Sequence, residues 1–245
     1  MAKPGNAGGE APPSYDEAIQ PQTLSTTEDP FAFLSTFDTV FLIDDSGSMA
    51  GRSWNETSRA LAAIAPICAA HDKDGVDVYF LNNKHLPTHK HLKSAMEVRE
   101  VFTTTRPYGP TPTGTALNGI LRPYLRDLES KGPDRVKPLN IIVITDGVPT
   151  DDPESVIVQA AKKLENMDAP PFQVGIQFFQ VGNEPEAAEA LRELDDGLED
   201  RGCPRDIVDT VPYKSQLSAD GMLKVVLGAV NRRLDRKKMS GESRR

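Results

Sequence analysis

Three stretches of this chain are almost unbroken apolar runs: TVFLI at 39–43, LNIIVI at 139–144 and FQVGIQFF at 172–179. A strand with one wet face alternates apolar and polar residues. A short apolar run without alternation is covered on both faces, which is the habit of parallel strands inside an α/β sheet. Parallel neighbours also need a crossover of a dozen or more residues between them. Two further β-rich stretches, VDVYFL at 76–81 and the less regular DIVDTV at 206–211, fit the same scheme.

Helix-period segments fill the intervals. Residues 54–70 align Leu61, Ile64 and Cys68, with Pro66 inside as a kink point. Residues 113–129 align Leu117, Leu121, Tyr124 and Leu128 around an interior Pro123. At 152–167, Asp152 suits the cap and Pro153 the first helical position. Residues 184–195 follow Asn183, with Glu186 three residues on, and 218–234 align Met222, Val226, Val230 and Leu234. Residues 82–110 fit the alternation poorly; a small edge strand, the short helix SAMEVREVF and a loop are expected there. Right-handed crossovers then predict an α/β fold: a doubly wound, mostly parallel central sheet with helices on both faces.

Composition bounds the rest. A chain of 245 residues, 38% hydrophobic, suits one such domain with extensions. Its net charge of −8 argues against wholesale nucleic-acid binding. Residues 1–35, rich in Pro, Gly, Ser and Thr, are expected to form a disordered arm, 37–233 the domain, and 234–245 a basic, solvated tail. Two cysteines, Cys68 and Cys203, do not make a disulfide framework. The first twenty residues lack an apolar core, so no signal peptide is expected, and no run approaches the ~18 residues that span a bilayer. An intracellular, cytoplasmic protein is the expectation.

The stretch FLIDDSGSM, residues 41–49, carries the chemistry. A buried strand ends abruptly in Asp44, and Ser46 and Ser48 follow at alternate positions, with Gly47 allowing a tight turn. In doubly wound sheets, ligands sit beyond the carboxyl ends of the strands where the strand order reverses. The central run LNIIVIT ends at Thr145-Asp146-Gly147, so Asp44 and Asp146 are expected to share one crevice. Carboxylates and hydroxyls without nearby His or Cys suit Mg²⁺ or Mn²⁺ rather than zinc.

IDDSGSM resembles the Asp-x-Ser-x-Ser motif that opens von Willebrand factor type A (vWA) domains and begins their metal-ion-dependent adhesion site (MIDAS). Two more pieces follow in family order. GPTPTGTAL, 109–117, resembles the loop leading into a helix and puts the metal-site threonine at Thr111, with Thr113 the weaker candidate; VITDGVPTDD, 143–152, resembles the strand end whose aspartate is Asp146. The resemblance covers about 37–233. It implies hydroxyl donors from Ser46, Ser48 and Thr111, with Asp44 and Asp146 binding directly or through water. It further implies that the ion accepts an Asp or Glu from a partner protein. In some members metal binding couples to movement of the last helix, which would be 218–234 here.

Plainer roles are expected of other polar residues. Asp45 reads as a turn residue adding charge at the rim, and Asp151 and Asp152 as helix-start residues. His71, His85, His89 and His91 read as solvated positions, and Cys68 as a core thiol. An Mg²⁺-dependent, phosphatase-like hydrolase using Asp44 is the main rival. Haloacid-dehalogenase-type enzymes need a second aspartate two residues after the nucleophile, and here that position is Ser46. No Gly-rich phosphate loop is present either. A scaffold with a vestigial metal site is the third reading. In the arm, Pro12, Pro13 and Tyr15 form PPSY, which resembles the Pro-Pro-x-Tyr ligand of WW domains, found in many ubiquitin ligases. Its prolines preset an extended segment that docks on an aromatic groove.

Overall fold

A computed structural model describes residues 35–71, 73–83 and 86–212. The arm with Pro12, Pro13 and Tyr15, the expected helix at 218–234 and the basic tail lie outside the described residues.

The described chain runs β1 (Asp38–Ile43), α1 (Arg52–His71), β2 (Asp77–Phe80), α2 (Ala95–Thr104), α3 (Thr113–Lys131), β3 (Leu139–Thr145), α4 (Pro153–Asn166), β4 (Val174–Gln180), α5 (Pro185–Asp196) and β5 (Val208–Val211). Among the described residues these five strands form one sheet in the order β2-β1-β3-β4-β5. Every pairing is parallel. From β1 the chain steps outward to β2 and then back past β1 to β3. The order therefore reverses between β1 and β3, which run in register from Asp38 beside Leu139 to Ile43 beside Ile144.

Both sheet faces are covered, as the unbroken apolar runs require. On one face Phe41, Ile43, Ile142, Ile144 and Phe179 pack with Trp54, Leu61, Ile64 and Cys68 of α1 and Val98 and Phe102 of α2. On the other, Val40, Leu42, Ile141, Val143 and Phe178 meet Leu117 and Leu121 of α3, Ile157 and Leu164 of α4 and Leu191 of α5. Each such fully buried side chain contributes roughly 1.5–3 kcal/mol of transfer free energy. The sheet is thereby clamped from both sides, and its strand ends become fixed platforms.

Differences from expectation are local. The second strand is shorter than 76–81, because Val76 pairs instead with Leu92 in an isolated antiparallel bridge. The short helix expected in SAMEVREVF is α2, started by a capping box in which Ser94 and Glu97 satisfy each other's backbone N–H groups. Asp152 caps α4 as expected, accepting from the Ser155 N–H at 2.9 Å. At α5, Asn183 does not take the cap position. Glu184 takes that position without a side-chain bond, and Pro185, which has no N–H to satisfy, begins the helix.

Candidate metal centre

The reversal between β1 and β3 sets the site. The Asp44 N–H continues the ladder to the Ile144 carbonyl at 2.8 Å, so Asp44 and Thr145 leave the sheet side by side. Asp44 is fully buried. Its Oδ1 accepts the Ser46 N–H at 2.8 Å, closing the turn after β1, and its Oδ2 accepts the Thr145 hydroxyl at 2.6 Å. The carboxylate is thus oriented by both strands.

The remaining oxygens gather in front of it. Ser46 Oγ lies 3.0 Å from Ser48 Oγ, and Ser48 Oγ donates to Asp146 Oδ1 at 2.7 Å. Asp146 is buried beside them and also bonds the Ser53 side chain at the start of α1. A methyl group placed on Gly147 would meet Thr111 Oγ1 at 3.5 Å and Ser48 Oγ at 3.9 Å, which puts Thr111 on the same wall of the crevice. Thr113, by contrast, turns its hydroxyl back toward the Thr111 carbonyl inside the first turn of α3. All five expected residues, Asp44, Ser46, Ser48, Thr111 and Asp146, therefore converge, and Thr113 stays out.

Burial holds the Asp44 carboxyl above the usual carboxylate range, against the opposing pull of its bonds from Thr145 and Ser46. Burial also raises Asp146, and the nearby Asp44 charge adds to the effect, while the Ser48 hydroxyl opposes it. Two carboxyls that resist ionisation next to three hydroxyls fit a hard divalent cation, which would stabilise both charges at once. Among the described residues no three His, Cys, Asp or Glu side chains gather as a metal-holding group; the donors of this crevice are two carboxylates and three hydroxyls.

Two clamps hold the loops that carry these oxygens. The first overturns the expectation for Asp45, which is fully buried rather than at the rim. Its carboxylate binds the backbone and side-chain amides of Asn82 and Asn83, after β2. The second involves Asp151. It is a helix-start residue as expected, but for α3 rather than α4. It accepts the Gly114 and Thr115 N–H groups, each at 2.8 Å, and the Thr115 hydroxyl. The Thr150 N–H donates to the Thr111 carbonyl at 2.9 Å, so the Thr111 and Asp146 loops are tied together. Gly114 is required there, because a Cβ would lie 2.7 Å from the Asp152 carbonyl oxygen.

Sequence reasoning missed Thr145, Asn82, Asn83 and this cross-capping role of Asp151. Thr145 carried a signal, a hydroxyl at the end of a strand that neighbours Asp44. The asparagines carried none, since their place depends on the loop after β2. His89 also departs from expectation: it is buried against Phe80, ring centroids 5.4 Å apart, whereas His91 is exposed. His85 lies outside the described residues. Cys68 is buried in the core as expected, and both cysteines are free thiols.

A doubly wound parallel sheet with helices on both faces defines a Rossmann-like α/β domain, here with an oxygen-lined crevice at the strand reversal. The profile of the von Willebrand factor type A domain matches residues 38–208, and the chain belongs to that family. Domains of this family generally mediate protein–protein interaction. A comparison with curated proteins finds no match. Among the described residues no helix is long and apolar enough to cross a membrane.

Proposed function

We propose that this chain is a protein-binding module that holds Mg²⁺ or Mn²⁺ in the Asp44 crevice and thereby recruits an acidic side chain of a partner. The observation that carries the reading is the convergence of five oxygen-bearing side chains from three separate segments. Ser46, Ser48 and Asp146 are already linked at 3.0 and 2.7 Å.

Asp44, Ser46, Ser48, Thr111 and Asp146 would hold the ion. When bound, the ion supplies a positive centre for a partner's Asp or Glu carboxylate. Three of the five donors are neutral hydroxyls, so only two protein charges face the ion and its attraction for a further carboxylate stays large. Buried Asp44 is held by Thr145 and Ser46, which spares the site the cost of ordering it. Partial burial of the crevice strengthens the charged contact relative to water. We include an intracellular setting in this reading, to which the two free thiols are suited.

The test is titration of the purified chain with Mn²⁺, followed by electron paramagnetic resonance, alongside Asp44→Ala and Thr111→Ala. Saturable binding lost in Asp44→Ala supports the reading; an unchanged spectrum in the intact chain sinks it. Affinity capture in Mg²⁺ and in EDTA then asks whether any partner depends on the ion.

PPSY at Pro12, Pro13 and Tyr15 supports a second attachment point, for a WW-domain protein of the ubiquitin-ligase type. A peptide spanning 8–20 should bind a WW domain by fluorescence polarisation, and its Tyr15→Ala version should not. Hydrolysis is not part of this reading, because Ser46 stands where a phosphatase-like site needs its acid–base aspartate.

A further inference from the structure

We propose that Asp45 is the positioning residue of this centre: it touches no ion, yet it sets the separation of the Ser46–Ser48 turn from the Thr111 loop. The inference rests on the reading of the crevice as a metal centre.

A fully buried carboxylate is costly unless its oxygens are satisfied. Each oxygen of Asp45 is assigned to one asparagine. Oδ1 accepts the Asn82 N–H at 2.7 Å and Asn82 Nδ2 at 3.2 Å. Oδ2 accepts the Asn83 N–H at 2.9 Å and also Asn83 Nδ2. Both side-chain amides then reach onward. Asn82 Nδ2 donates to the Pro110 carbonyl at 2.8 Å, directly before Thr111, and Asn83 Nδ2 donates to the Arg106 carbonyl at 3.3 Å.

The backbone completes the bracket. The Tyr108 N–H donates to the Asp45 carbonyl at 2.7 Å, and the Gly47 N–H donates to the Gly109 carbonyl at 3.1 Å. The Tyr108 hydroxyl donates to the Asn82 carbonyl at 3.3 Å. Three segments that are distant in sequence (45–47, 82–83 and 106–110) are thus tied together by the Asp45 carboxylate, the two asparagine amides and these backbone bonds. Asp45 sits between Asp44 and Ser46, and the far end of its network adjoins Thr111. Any slackening changes the spacing between hydroxyls that must meet one ion.

Only a carboxylate serves here. An asparagine at 45 would turn its own N–H donors toward donors of Asn82 or Asn83. Outer contacts of this kind typically alter metal affinity by about 10- to 100-fold when removed.

The experiment compares Mn²⁺ binding by the full chain, Asp45→Asn, Asn83→Ala, the exchanged pair Asp45→Asn with Asn83→Asp, and Asp44→Ala. Amide hydrogen exchange at Gly47, Asn82, Asn83 and Tyr108 is followed by NMR in the metal-free, fully folded proteins. Asp45→Asn and Asn83→Ala should weaken Mn²⁺ binding by about 10- to 100-fold and speed exchange at those amides. The exchanged pair should recover neither loss, because an amide at position 45 still meets the N–H of residue 83 and a carboxylate at 83 meets the Arg106 carbonyl. Wild-type affinity and exchange in both single variants overturn the proposal. So does loss of folding in Asp45→Asn together with wild-type affinity in folded Asn83→Ala. Absence of Mn²⁺ binding by the unaltered chain instead overturns the metal reading itself and takes the proposal with it. Binding by the unaltered chain that Asp44→Ala abolishes separates the two failures.

Discussion

Thr145 donates its hydroxyl to Asp44 Oδ2 at 2.6 Å, across the seam where β3 lies beside β1. The bond joins residues 101 positions apart in the chain, and both are buried. It orients the innermost carboxylate before any ligand arrives. Thr145→Val keeps the shape and removes the donor. Leaving a buried carboxylate short of one bond costs about 1–3 kcal/mol. Urea unfolding followed by Trp54 fluorescence should show that loss, because Trp54 is the single tryptophan and is buried in the core. Unchanged stability would mean that the bond contributes nothing.

Acid should release the ion. Burial holds Asp44 and Asp146 above the usual carboxylate range, and a bound cation requires both ionised. Mn²⁺ affinity should therefore fall as pH drops toward and through those raised values. Without metal the sign reverses: the folded state favours the protonated forms, so these two groups make the protein less stable as pH rises from the ordinary carboxylate range to the raised one. Titrations with and without Mn²⁺ across this interval check both slopes.

Gly114→Ala should destabilise the domain although alanine is the better helix former. Its Cβ would stand 2.7 Å from the Asp152 carbonyl oxygen, and that atom is backbone. Overpacking of this kind costs roughly 1–3 kcal/mol. The nearby Asp151→Ala removes the cap on α3 and should cost about 1 kcal/mol. Chemical denaturation of both variants measures the pair, and a stabilised Gly114→Ala would contradict the close approach.

Alkali provides a readout far from the crevice. Tyr124 is raised to about 12, mainly by burial. Its hydroxyl donates to the Lys137 carbonyl at 2.9 Å and accepts Gln173 Nε2 at 2.7 Å. An unfolded tyrosine ionises near its ordinary pKa of about 10. Stability from this group is therefore intact below pH ~10 and is lost as pH rises toward about 12. Burial also raises Tyr79, so tyrosinate absorbance should show late-titrating signal that is reduced, not abolished, in Tyr124→Phe.

If the crevice only binds, the metal-loaded chain should not turn over a generic phosphate ester. Ser46 stands where the second aspartate of a phosphatase-like site belongs, and its N–H is committed to Asp44 at 2.8 Å. Turnover that disappears in Asp44→Ala would restore the enzyme reading.

The apolar runs at 39–43, 139–144 and 172–179 were enough to specify parallel strands, because burial on both faces leaves no room for alternation. The spacing of Asp44, Ser46 and Ser48 also survived folding, since all three hang from one turn whose geometry is local. Asp146 was legible from the strand end that carries it, whereas Thr111 was placed by the resemblance of GPTPTGTAL to the family's loop. The start of α5 is set by Pro185, and Asn183 lies one residue before the cap position.

What the sequence determined by itself, then, was the layered α/β architecture and the spacing of the oxygen-bearing residues on the turn after β1, both of which follow from short-range pattern. Tertiary structure alone decided the status of Asp45 and Asp151. In one dimension Asp45 reads as a turn residue and Asp151 as a helix-start residue. Asp45 becomes a buried clamp only when β2 delivers Asn82 and Asn83 to it, and Asp151 caps a helix other than the one it precedes. A carboxylate's role depends on which N–H groups surround it. Those groups came from segments 36 to 38 residues away, brought close by strand order rather than by any local signal.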